Sequence, residues 1–275
     1  MGGSAVIPRQ GMHVGGVWLL LLGIFYGKSQ LATALFGPAY AVDRHIFMAV
    51  LTTALVVPAI VLARRHLDNQ PFAGLGLALD LSALRPLLIG AMAWLLPFVL
   101  GLATCLVFGL AEIRAVAPWG EILAFVPLLV LLVFLLEALP EELAFRGYIQ
   151  ANLARLVPPW AAVAIQALLF GTWGVALWLL TAGGIEPLHA SLFYVMGAVL
   201  GMLRIITGSV WTGIGFHVAF QTVAQLLLST DRGHFAIDNP GWLQFIALGA
   251  VPFSLAIPIV ERFYRDRVEW RARPV

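Results

Sequence analysis

Ten residues, Glu137-Ala-Leu-Pro-Glu-Glu-Leu-Ala-Phe-Arg146, place three carboxylates and a guanidinium directly after a long apolar run. Helical spacing sorts them. Glu142 and Arg146 are four apart, share a face and can pair. Glu137 and Glu141 are also four apart, on a face turned about 100° from the first. Two carboxylates side by side where water is scarce suit general acid/base work. Pro140 removes a helix hydrogen bond and bends the chain, making room for water beside Glu141. The same residues could instead anchor a helix end among lipid headgroups, with the arginine marking the cytoplasmic side.

A second polar feature is Gly213-Ile-Gly-Phe-His217-Val-Ala-Phe-Gln221. His217 falls about nine residues into an apolar stretch, roughly 13 Å deep at the helical rise. Gln221 is one turn on, on the same face, and Gly213 and Gly215 permit close helix packing. A histidine and a glutamine on one face fit a polar cavity, although a histidine bonded across helices for packing alone is the simpler alternative. His189, at one end of the sixth apolar stretch, reads as an interface residue.

Composition dictates what must position these groups. Of 275 residues, 61% are hydrophobic and 11% charged, against roughly 25% charged in soluble domains. One soluble core cannot hide so much apolar surface, so the excess faces lipid. Eight stretches approach the roughly 20 apolar residues of a spanning helix: Val14–Phe36, Ile46–Ala63, Pro86–Leu110, Glu121–Leu139, Trp160–Leu180, Leu188–Ile206, Ser209–Leu228 and Trp242–Val260. Lys28 weakens the first. The glutamate cluster thus closes the fourth span. The expectation is an all-α polytopic protein, one integral membrane domain over residues 1–275, with about eight helices around a polar cavity. With eight crossings, twelve basic residues fall on the side of the termini, including Arg146, Arg204 and five arginines from Arg262 to Arg273, and three on the other, Arg44, Arg114 and Arg232. That bias places both termini in the cytoplasm. No organelle signal is visible, which suggests a bacterial plasma membrane.

Other chemistries lack their residues. The net charge of +2 is spread over the loops, unlike the concentrated basic face that nucleic acid requires. The single cysteine, Cys105, precludes internal disulfides and cysteine-based zinc sites and reads as a buried, inert thiol. No HExxH and no phosphate-binding loop occur.

Glu141-Glu142-Leu-Ala-Phe-Arg146, followed by Gly147, resembles the EExxxR motif of the CPBP intramembrane proteases, which include the CAAX prenyl-protein endopeptidases of the Rce1 type. The likeness extends over residues 126–225, through Gly201-Met-Leu-Arg204 and Thr207-Gly-Ser-Val-Trp211 to His217. It implies peptide hydrolysis by an activated water, with Glu141 as the base, Glu142 and Arg146 in support, and His217 polarising the scissile carbonyl. Gln221 stands where the family carries asparagine or a similar residue, and Glu137 would tune the site. One motif departs: FxxxH is here Phe170-Gly-Thr-Trp-Gly174, with glycine in place of histidine. Thr172, His189 or water could take its place. The resemblance implies no cofactor, and Glu141 with His217 alone is a poor ligand set for a divalent metal. The implied partners are membrane lipid and a peptide or protein C-terminal substrate. The alternative to a protease is a non-catalytic relative that binds a peptide, partner or lipid in the same cavity.

Overall fold

The computed structural model describes residues 6–264, 266 and 268–272. Eight long helices account for most of them: α1 Val6–Phe36, α2 Val42–Leu67, α3 Leu81–Val107, α4 Trp119–Leu153, α5 Pro159–Ala182, α6 Pro187–Thr207, α7 Val210–Leu228 and α8 Pro240–Glu261. Local residues set several boundaries. Prolines occupy the first helical position of α5 and α6, where no backbone donor is needed. Gly183 and Gly208 end these helices in the left-handed conformation (φ 73° and 67°). Ser209 caps α7, its hydroxyl accepting from the Trp211 N–H at 3.2 Å.

Seven of the helices are long and apolar enough to cross a membrane, so the chain is a multi-pass membrane protein. The exception is α7, which carries Thr212, His217, Gln221, Thr222 and Gln225. Its polar residues are no obstacle because α7 lies inside the bundle, with His217, Thr212 and Thr222 buried. Small residues let it sit there. A Cβ added to Gly215 would strike the Leu87 carbonyl of α3, and one added to Gly90 of α3 would strike the Thr212 backbone of α7. Large apolar side chains such as Leu19, Leu88, Leu96, Val99 and Leu168 remain exposed on the outer faces, as lipid contact requires.

Contacts between connections follow the alternation of eight crossings. The α3–α4 and α7–α8 connections pair as two antiparallel strands, β1 Glu112–Ala115 and β2 Phe235–Asp238, with Glu112 opposite Asp238. At the other end, Val210 N–H donates to the Gly76 carbonyl at 2.9 Å and Trp211 Nε1 to the Ala78 carbonyl at 2.7 Å, docking the α2–α3 connection onto the start of α7. Arg265, Arg267 and Arg273 of the basic tail, and the side chain of Arg9, lie outside the described residues. Cys105 is buried against the Trp242 carbonyl.

One boundary differs from expectation in a way that matters. The fourth span does not end at Leu139; the helix runs on to Leu153. Hydropathy falls at the first acid, but Glu142 pairs with Arg146 and the segment that follows is buried inside the protein, so nothing forces the chain out. Glu137–Arg146 is an interior segment and not a headgroup-facing end, and Arg146 drops out of the tally of loop cations.

Candidate active site

The winding of α4 sets the cluster in place. It loosens into π-helical turns at Phe134–Ala138 and Leu143–Ile149, on either side of a short α-helical piece, Leu139–Glu142. Such turns are frequent at functional sites. Pro140 has no N–H, so carbonyls in the turn before it lose a partner. The Thr53 hydroxyl of α2 donates to one of them, Leu135, and holds the widened turn.

Glu142 is the hub. Arg146 Nη1 donates to Glu142 Oε1 at 2.9 Å, and His217 Nδ1 lies 3.2 Å from the same oxygen. A carboxylate paired with arginine only accepts, so His217 must carry its hydrogen on Nδ1, leaving Nε2 for a ligand. All three residues are at most 1% exposed. Arg146 is held further by the Met196 carbonyl, 3.3 Å from Nη2, and by the Phe170 ring, 4.3 Å from its guanidinium. Gly213 makes the approach of α4 and α7 possible, because a Cβ there would run into the Glu142 carboxylate.

Glu141 points elsewhere. With Glu137, His217 and Gln221 it lines a cavity of about 580 Å3. The wall mixes these groups with apolar side chains such as Phe25, Leu136, Phe170 and Leu248. No hydrogen bond to the Glu141 side chain is made among the described residues, whereas Glu137 Oε1 accepts from Gln225 Nε2 at 2.8 Å. The residues singled out by spacing therefore divide. Glu141, Glu137, His217 and Gln221 reach the cavity; Glu142 and Arg146 stand behind it and brace His217.

Residues 122–223 match the family described as type II CAAX prenyl endopeptidase, Rce1-like. The matched segment runs from the first turn of α4 into α7 and takes in Glu141, Glu142, Arg146, Gly174, His217 and Gln221. No curated protein matches the chain. The CPBP resemblance read from EExxxR holds over this Rce1-like segment.

The Rce1-like segment also shows what fills the position of the missing histidine. Gly174 lies on the cavity wall, and a Cβ there would sit 2.5–2.8 Å from the Phe193 ring of α6. Phe193 stacks on His189 (centroids 5.4 Å, 13° between planes), which in turn meets Trp178 at 4.3 Å. His189 thus lines the cavity near the start of α6. Thr172 is excluded as a substitute, since it is exposed and its hydroxyl donates to the Leu168 and Leu169 carbonyls of its own helix.

Three further cavity residues, Lys28, Gln225 and Arg232, were not singled out by sequence, and two of them lie beyond any single motif. Lys28 had a signal: a lysine within an apolar run faces a bundle interior or a cavity more often than lipid. It is 8% exposed, lies over the Phe25 ring at 4.5 Å, and is in electrostatic range of Glu137 and Glu141. Among the described residues no three His, Cys, Asp or Glu side chains converge as a metal-binding set.

Proposed function

We propose that this chain is an intramembrane endopeptidase that hydrolyses a peptide bond with a water activated by Glu141. The observation that carries the reading is that Glu141, with no hydrogen-bond partner among the described residues, shares one cavity with His217, whose orientation is fixed from behind by Glu142 and Arg146. In the reaction Glu141 accepts a proton from water as the water oxygen attacks the scissile carbonyl carbon. The carbonyl oxygen becomes an oxyanion that protonated His217, through Nε2–H, and the Gln221 amide stabilise. The C–N bond then breaks and Glu141 returns its proton to the leaving amine. Glu142 compensates the charge on the imidazolium and holds its ring. The membrane-embedded site, with both termini cytoplasmic, fits a substrate presented as a peptide or protein C-terminal segment at a lipid surface. No resident cofactor enters this scheme.

One observation favours the non-catalytic alternative: Phe193 occupies the space beside Gly174 where the family motif has histidine. The test is Glu141→Gln in liposomes or detergent against a panel of membrane-anchored peptides. Cleavage falls by at least about 100-fold if Glu141 is the base, within the range of general acid/base contributions, while the thermal midpoint is retained. Wild-type cleavage unaltered by Glu141→Gln removes the base from the mechanism. Binding of the peptides without cleavage by the wild type supports the non-catalytic reading.

A further inference from the structure

The cavity has two electrically different ends. The carboxylates Glu137 and Glu141 lie along α4. At the mouth between the α1–α2 connection and the end of α7, the wall is formed by Tyr40, Arg44, His45, Ser229 and Arg232. Arg232 lies over the Tyr40 ring at 4.8 Å, Tyr40 meets the His45 ring at 6.0 Å, and Arg232, Lys28 and Arg44 are all in electrostatic range of His45. This end is short of acceptors. Arg44 Nη2 donates to the Thr33 hydroxyl at 3.4 Å and Arg232 Nη2 to Gln225 Oε1 at 2.6 Å. Arg44 Nε, Arg232 Nε and Nη1, Tyr40 Oη and His45 Nδ1 are buried and have no hydrogen-bond partner among the described residues. The neighbouring carboxylates Asp43 and Asp231 are exposed, and neither forms an ion pair with these arginines among the described residues. Two guanidiniums on one cavity wall, with spare donors and no ion-pair partner among the described residues, lack an anion.

We propose that Arg44 and Arg232, with the Tyr40 hydroxyl, form a subsite for a carboxylate of the bound peptide, which sets where the chain is placed over Glu141 and His217. The proposal rests on the peptidase reading for its placement but not for its chemistry. A carboxylate fits the planar forks of two arginines, and it can come from the peptide's free C-terminus or from an aspartate or glutamate side chain. The spacing makes a second statement. Gln225 lies eight residues beyond His217 on α7, about 12 Å at the helical rise, and its amide carries the line of polar groups one hydrogen bond further to Arg232. An extended peptide covers 3.3–3.6 Å per residue, so the carboxylate lies about four residues beyond the bond presented to Glu141. Gln225 links the two ends, donating to Glu137 Oε1 and accepting from Arg232. Lys28, Arg44 and Arg232 all lie outside the segment that matches the Rce1-like family.

The experiment compares fluorescent peptides identical except at one group: a C-terminal carboxylate or its amide, and an internal Asp or Asn four residues from a fixed bond. Binding is read on the Glu141→Gln protein in detergent, and cleavage and cut position on the wild type by mass spectrometry. The expected result is a 10- to 100-fold weaker binding of the uncharged member of one pair, the range of hydrogen bonds to a charged group. Arg44→Gln/Arg232→Gln erases that discrimination, and Arg232→Lys in the Arg44 background restores part of it. The pair that discriminates identifies the source of the carboxylate. Discrimination in binding with no cleavage of any peptide leaves the subsite standing and removes the peptidase reading. Equal binding within both pairs overturns the subsite, as does a uniform loss with the arginine variants. Competition by vesicles of anionic phosphatidylglycerol, with no discrimination between peptides, overturns it in favour of a lipid headgroup site.

Discussion

Helix α4 carries two buried polar clusters barely two turns apart, and they are built differently. Near its end, Tyr148 and Asn152 meet Asp68. Asp68 Oδ1 accepts from the Tyr148 hydroxyl at 3.1 Å and faces His13 Nδ1 at 3.1 Å; Oδ2 accepts from Asn152 Nδ2 at 2.8 Å and lies 3.6 Å from Arg64 Nη1. Both oxygens are doubly engaged, and α1, α2 and α4 are tied together at one point. The Glu137–Arg146 cluster is less complete. Glu142 Oε1 holds two partners, while among the described residues Glu142 Oε2 and Glu137 Oε2 have none and Glu141 makes no hydrogen bond. A carboxylate whose lone pairs are all used can hold a fold together but cannot take a proton from anything new. Spare acceptor capacity beside a cavity is what chemistry requires, and it costs stability to keep.

The sharpest break of that comparison comes from Glu142→Ala. It strips a buried arginine and a buried histidine of their common partner and should cost about 3–5 kcal/mol, read as a lower thermal midpoint in detergent. Adding Arg146→Met should recover much of the loss, because no uncompensated charge then remains. Asp68→Ala comes next, at about 1–3 kcal/mol for the donors it leaves unpaired, with cleavage and peptide binding unchanged. If Asp68→Ala removed activity while the protein stayed folded, the division between a structural and a chemical cluster would fail. Gly174→His should cost about 1–3 kcal/mol by overpacking against Phe193, and Phe193→Ala in the same chain should relieve it. A gain in turnover specific to that double variant would show that the absent histidine limits the natural protein. The smallest effect on stability belongs to Glu141→Gln, within about 0.5 kcal/mol, because no described residue hydrogen-bonds the group; the same variant carries the largest loss of cleavage.

Much of this protein could be read from its residues. Apolar run lengths delimit eight helices, since a spanning segment has to match the bilayer's thickness. The spacing of Glu142 and Arg146 produced their 2.9 Å pair, since one helical turn admits little else. The motif around Glu141 and its distance from His217 pointed to the family that residues 122–223 match. Hydropathy misplaced the end of α4, because a window average cannot know that Glu142 and Arg146 pair and that the segment is covered by other helices.

Tertiary structure alone decided which face meets what. Glu141 and Glu142 are neighbours in sequence, yet one lines the cavity and the other braces His217 from behind, and that choice follows from how α7 packs at Gly213. Phe193 fills the space beside Gly174 because α5 and α6 are packed tightly there. Lys28, Arg44 and Arg232 come from three separate parts of the chain, and no spacing rule relates them. Helical periodicity fixes neighbours within one helix; which helices stand side by side is set by small residues and the shape of whole surfaces, and only there do distant charges become one site.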